Sequence, residues 1–240
     1  MSNKVIECKD LTIGYGATPV GRGLNLSVEA GEVVCLLGAN GAGKTTTMLT
    51  IAGDLAPLSG EVWLHGEKVT SPMYKRAKQG LSFVTEERSV IMSLSAADNL
   101  RLAGVSQETA TGLFPELAPL MRRTAGLLSG GEQQMLTLAR ALGRDPKILL
   151  ADELSLGLAP IIVERLLKAV RTAATERGVG VLLVEQHVRQ ALSVADRVYV
   201  LQRGKVVVSG TADEVKGDLE TVERAYLSGV VNETHHEQEG

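Results

Sequence analysis

The stretch Gly38-Ala39-Asn40-Gly41-Ala42-Gly43-Lys44-Thr45 constrains this chain more than any other, because it satisfies the spacing G-x-x-x-x-G-K-[ST] in full. The apolar run Val33-Val34-Cys35-Leu36-Leu37 leads into it and reads as a buried strand. From Thr45 to Ala52 there is no Pro or Gly, so the chain continues as a helix. A strand, a glycine loop and a helix in that order make an anion site. Glycines let the backbone curl, and the amides of the loop and of the helix start point at negative charge. Lys44 supplies a point charge for β- and γ-phosphates, and the Thr45 hydroxyl is suited to ligating Mg2+. Thr46 completes the first turn, so residues 38–46 form the candidate polyphosphate cradle.

At 240 residues the chain suits one sizeable domain, or one domain carrying an insertion. A hydrophobic share of 44% beside 22% charged residues belongs to an ordinary soluble globular protein. The formal charge of −3 excludes general electrostatic affinity for nucleic acid or anionic lipid, and 3% aromatics leave no base-stacking platform. Cys8 and Cys35 stand apart with no CxxC, so a structural role is expected and no oxidising compartment is required. The N-terminus lacks the basic and apolar regions of a signal peptide, and no apolar run approaches the ~18–20 residues that span a bilayer. The chain is expected to be cytoplasmic. Work at a membrane would need spanning helices from another polypeptide.

The segments Val5-Ile6-Glu7-Cys8, Leu24-Asn25-Leu26-Ser27-Val28 and the pair joined at His65-Gly66 read as strands, which surrounds the glycine loop with a β-rich subdomain. Leu81-Ser82-Phe83-Val84 adds another. Between Thr85 and Arg144 the pattern turns helical, with Leu94, Ala97, Leu100 and Ala103 spaced for one face. Ile148-Leu149-Leu150-Ala151 and residues 179–184 are buried parallel-strand candidates, with Val163 to Arg177 as the crossover helix. A hairpin through residues 198–208 turns at Arg203-Gly204. The polar tail at 230–240 includes His235-His236, which read as solvent-facing rather than metal-binding.

Two further motifs carry chemistry. Asp152-Glu153 follows an apolar strand, which places both carboxylates at the strand's C-terminal edge, where α/β sheets bind ligands. Asp152 reads as the aspartate that holds Mg2+, and Glu153 as the base that orients and deprotonates water. Leu128-Ser129-Gly130-Gly131-Glu132-Gln133-Gln134 precedes a helix-like apolar run. Ser129 is a good N-cap, and two glycines open a second helix N-terminus to an anion.

Together, these motifs resemble those of the ATP-binding cassette (ABC) ATPases over roughly residues 4 to 215. The resemblance implies an α/β fold with a RecA-like P-loop core, an N-terminal antiparallel β-subdomain and an inserted α-helical subdomain. It implies a single domain at 1–229, with core 1–85 and 146–229 and insert 86–145. ATP and Mg2+ are the implied cofactors. Two cassettes of the family pair head to tail, so Ser129, Gly130 and Gly131 would act on the partner's nucleotide. Tyr15 matches the aromatic that stacks on adenine. The loop after Val84 offers Glu86 where the family carries a Mg2+-touching glutamine. Leu154 replaces the usual proline and Ala159 the usual aspartate further on. Counting back ten from Asp196 puts Gln186, not His187, at the family's switch position, where its amide can hydrogen-bond a γ-phosphate but cannot titrate.

Glu132-Gln133-Gln134-Met135-Leu136 and residues 155–163 resemble the ATP-binding subunits of branched-chain amino acid importers, and Val184-Glu185-Gln186 with the acidic Glu86 loop is similar to the second of that system's two cassettes. That likeness implies a second cassette (identical or different), two membrane permease subunits, an external solute-binding protein and a place on the cytoplasmic face of the inner membrane. Import of urea, amides or aromatic acids is an alternative, as is a non-transport ABC machine in DNA repair, ribosome or cluster assembly. One cassette and an acidic balance disfavour the latter, and no N-K-x-D pattern supports a GTP switch.

Overall fold

A computed structural model describes residues 3–87, 89–186 and 188–217. Two twelve-residue strands, β1 (Lys4–Tyr15) and β2 (Thr18–Glu29), pair antiparallel. After them come β3 (Val33–Leu37), α1 (Lys44–Ala52), β4 (Ser59–Leu64), β5 (Glu67–Lys68), α2 (Met73–Lys78) and β6 (Leu81–Val84). The helical stretch contains α3 (Ala96–Leu102), α4 (Gln107–Leu113), two 3-10 turns and α5 (Gly130–Leu142). The chain then returns to strand and helix with β7 (Ile148–Asp152), α6 (Pro160–Arg177), β8 (Gly180–Val184), α7 (Val188–Val194), β9 (Arg197–Gln202), β10 (Lys205–Thr211) and α8 (Ala212–Gly217).

A four-stranded sheet runs β2-β1-β4-β5, and a six-stranded sheet runs β10-β9-β3-β8-β7-β6. In the larger sheet β9, β3, β8, β7 and β6 are parallel, and β10 returns antiparallel at the edge. Every residue of β3, β7 and β8 is buried, as expected of parallel strands covered on both faces. Edge strand β10 instead alternates exposed and half-buried.

Two cores lie on opposite faces of the large sheet. One joins Val34, Leu36, Leu150 and Leu182 to Met48 and Ile51 of α1 and to Ile6, Leu26 and Val62 of the small sheet. The other joins Cys35, Leu149, Ala151 and Leu183 to Leu100, Met135, Leu138, Leu166 and Val170 of the helical layer. Alternation along each strand sends neighbours such as Val34 and Cys35 to different cores. Both cysteines are free and buried.

The helical stretch departs from the expected face. Leu94 precedes the helix, because Ser95 is the N-cap and accepts from Asp98 N. The deeply buried residues are Ala96, Asn99 and Leu100, while Ala97 and Ala103 are only partly covered. Asn99 is enclosed because its amide bonds both backbone groups of Ile91 and the Ser95 carbonyl. The stretch around Pro115 and Pro119 forms a 3-10 turn. The hairpin turns at Arg203 and Gly204, both at positive φ, as a two-residue turn between twisted strands demands. His187, His235 and His236 lie outside the described residues.

Candidate nucleotide site

The site is built by register. Leu36 of β3 lies beside Val184 of β8, and Val184 beside Asp152 of β7. Ala151 in turn lies beside Val84 of β6. Four strands therefore end on one edge and deliver the glycine loop, Gln186, Asp152-Glu153 and Glu86 side by side. That edge is where parallel sheets bind ligands.

The loop has the shape its glycines promise. A Cβ on Gly38 would stand 2.4 Å from the Leu201 carbonyl oxygen, so the backbone approach there admits no side chain. Gly41 and Gly43 sit at φ 74 and 103. Gly43 is also the N-cap of α1 and gives it no side-chain cap, which leaves the first amides of Lys44, Thr45 and Thr46 open for an anion. Lys44 is 5% exposed, and its ammonium donates to the Gly38 and Ala39 carbonyls at 2.9 and 3.1 Å. Burial lowers its pKa, opposed by the carboxylates of Glu153, Asp152 and Glu86. Ala39 and Ala42 are buried, whereas Asn40 and Gly41 face solvent.

Asp152 is 1% exposed and its Oδ1 has no hydrogen-bond partner. Burial pushes its pKa up to about 6, a hydrogen bond from Thr45 pulls it back, and neighbouring Glu153 pushes it further up. A buried, orphaned carboxylate oxygen beside the Thr45 hydroxyl and the Lys44 ammonium fits a metal-bound polyphosphate. Mg2+ takes few carboxylates and shares its shell with phosphates and water, so one carboxylate and one hydroxyl suit it. Exposed Glu86 shares with Glu153 a cavity of about 440 Å³ that Gln134 also lines.

Glu153 has φ 51, a left-handed backbone at a non-glycine residue, and its N–H donates to the Val184 carbonyl at 2.9 Å. Gln186 donates its amide to Glu153 Oε2 at 2.8 Å, so the residue read as a phosphate contact touches the candidate base. Tyr15 is 52% exposed at the end of β1, and its hydroxyl is 3.5 Å from Thr46 Oγ1, which places it beside the loop rather than in the core.

The Ser129 motif lies elsewhere. Ser129 caps α5, and with Glu132 it closes a capping box: its N–H donates to the Glu132 carboxylate at 2.7 Å and its hydroxyl accepts from Glu132 N at 3.3 Å. Helix α5 belongs to the core on one face of the sheet and α1 to the core on the other. Gly131 sits against Ile162 at the start of α6.

Glu185 and its partner Ser155 were given no role at the site by sequence alone. Glu185 is fully buried, accepts from Ser155 Oγ at 2.5 Å, and leaves Oε1 unpartnered. Burial pushes its pKa up to about 7, with Glu153 and Asp152 contributing in the same direction against the Ser155 hydrogen bonds. An acid directly after an apolar strand, as at Asp152-Glu153, was the available signal.

A family model described as ABC transporter matches residues 22–155. The branched-chain amino acid transport ATP-binding protein BraG of Pseudomonas aeruginosa is 39% identical over 90% of this chain and 96% of its own. The lipopolysaccharide export ATP-binding protein LptB of Acidithiobacillus ferridurans is 37% identical over 94% and 97%. A probable branched-chain amino acid transport protein, LivF of Archaeoglobus fulgidus, is 33% identical over 85% and 91%. Among solved structures, the ATP-binding subunit of an ABC transporter superposes with TM-score 0.80 at 26% identity, covering 94% of this chain and 99% of that one. A bacterial ABC transporter cassette solved as a dimer superposes with TM-score 0.77 at 25% identity, covering 86% and 98%. The fold and site define a P-loop ATPase. The chain belongs to the ABC transporter family, as one of its ATP-binding and hydrolysing cassettes.

Proposed function

We propose that the chain energises an importer of branched-chain amino acids or a related small solute. The observation that carries the ATPase half of this reading is the register that gathers the glycine loop, Asp152, Glu153 and Gln186 at one sheet edge. The solute half rests on likeness to BraG and LivF, whose own names state branched-chain amino acid transport. Likeness to LptB supports a second reading, export of a lipid-linked glycan.

In this reading Lys44, Thr45, Thr46 and the loop amides hold the triphosphate, and Tyr15 stacks on the adenine. Thr45, Asp152 and Glu86 would hold Mg2+, which when bound withdraws charge from the phosphate oxygens. A Glu153 carboxylate oxygen accepts the proton of the attacking water, and Gln186 aims that carboxylate. Ser129, Gly130 and Gly131 close over the nucleotide of a partner cassette, an arrangement supported by the separate layers of α1 and α5. Two permease subunits receive the motion through roughly residues 88–104 of the insert at 86–145 within the domain at 1–229, and a solute-binding protein delivers cargo to them. The chain then sits on the cytoplasmic face of the inner membrane, with no nucleic-acid partner. Among the described residues, no helix is long and apolar enough to cross a membrane.

The test is co-purification from native membranes, then ATPase assay of the reconstituted complex with its binding protein. Stimulation by leucine, isoleucine or valine is the expected result. Stimulation only by urea, amides or aromatic acids, or only by a lipid glycan, would overturn the amino-acid assignment.

A further inference from the structure

Beyond the base and the phosphate-holding groups, one buried acid at the site has no assigned task. Three consecutive residues at the end of β8 grip the turn that carries Glu153. The Val184 carbonyl accepts from Glu153 N, the Glu185 carboxylate accepts from Ser155 Oγ, and the Gln186 amide donates to Glu153 Oε2. Within the turn, Leu156 N reaches the Glu153 carbonyl at 3.4 Å and Leu158 N the Ser155 carbonyl at 3.2 Å. The turn needs such holding. A non-glycine residue at φ 51 is strained and persists only where its surroundings over-determine it.

We propose that Glu185 is a positioning residue for hydrolysis: its buried carboxylate anchors Ser155 and so keeps the Glu153 turn in the conformation that aims the base at water.

The chemistry supports a dedicated role. A fully enclosed carboxylate with one oxygen unpartnered is costly, and apolar packing alone would not place one there. Its single side-chain partner, Ser155, is itself 6% exposed and lies two residues beyond Glu153. A shorter acceptor at 185 would lose that reach, and an apolar residue would leave the Ser155 hydroxyl buried without an acceptor. Gln186, next along the chain, restrains the Glu153 side chain while Glu185 restrains the backbone that presents it. Groups paid for in stability at a reacting centre are commonly retained for activity.

This inference rests on Glu153 being the base, so the experiment includes a variant that tests the base alone. ATP hydrolysis is measured on the assembled transporter, with melting temperature recorded for each variant chain. Glu153→Gln should lower kcat at least about 100-fold; near-normal turnover would remove Glu153 as the base and end the parent reading. Glu185→Ala and Ser155→Ala should each lower kcat about tenfold or more while the KM for ATP stays within about twofold. The double variant should be no slower than the slower single one, because both break the same link. Glu185→Gln, which still offers Ser155 an oxygen, should recover most of the lost rate. If Glu185→Ala fails to fold, the comparison of Ser155→Ala with Glu185→Gln carries the test. Wild-type kcat in Ser155→Ala, additive losses in the double variant, or a Glu185→Gln variant as slow as Ser155→Ala would each overturn the proposal.

Discussion

Glu185 also makes a prediction about stability, with a sign that pH reverses. In the folded chain its carboxyl keeps its proton up to about pH 7, whereas in the unfolded chain it ionises near 4.5. A raised folded-state pKa means that the folded form binds more protons between those values. Stability attached to this group is therefore complete below pH 4.5 and is lost as pH rises through 7. Each tenfold difference in proton affinity is worth about 1.4 kcal/mol, so the loss amounts to about 3 kcal/mol. Glu185→Gln removes the ionisation but keeps an acceptor for Ser155. The variant should match the wild type at pH 4.5 and exceed it by about 3 kcal/mol at pH 8.5, or roughly 6–12 °C in melting temperature for a chain of this size. Asp152 titrates over an overlapping range, but it is present in both proteins and largely cancels in the difference. The assay is urea denaturation of the nucleotide-free chain at the two pH values. A stability difference that is the same at both would refute the burial argument.

Two further perturbations test the neighbouring structure. Arg76 is 2% exposed, and its guanidinium donates to the Ser71, Thr50 and Ile51 carbonyls, the last two at the C-terminal end of α1. Arg76→Met strands these acceptors and should cost about 3 kcal/mol in chemical denaturation; a change under about 0.5 kcal/mol would show that the carbonyls find other partners. Lys44→Ala should weaken ATP binding about 100-fold by calorimetry, since it removes the buried cation at the loop, and unchanged affinity would contradict the assignment.

The α/β class, the glycine loop, the strand before it, the paired acids at the end of β7 and the hairpin turn were all legible in the residues. Each is local. Five consecutive apolar residues make a strand buried on both faces, and the glycine spacing states where a backbone must curl without a Cβ. Gln186 was legible as a site residue but not as a partner of Glu153, because that contact spans 33 positions. Leu94 was read onto a helix because spacing alone does not reveal that Ser95 caps the helix one residue later. Asn99 and Arg76 would each be assigned to a surface by polarity, yet both are enclosed, since their partners are backbone groups of other segments.

The amino-acid order by itself determined the chemistry this protein can carry: an amide-lined anion cradle, a lysine, a hydroxyl and two carboxylates at a strand's end. Only the tertiary structure decided that these groups meet. Parallel pairing of β3, β8 and β7 in a single register brings residues more than a hundred positions apart to one edge. The same pairing puts Glu185 behind the Glu153 turn and separates α1 from α5 across the sheet. The physical reason is that local propensity selects strands and caps, whereas strand order and burial arise from where apolar faces find one another.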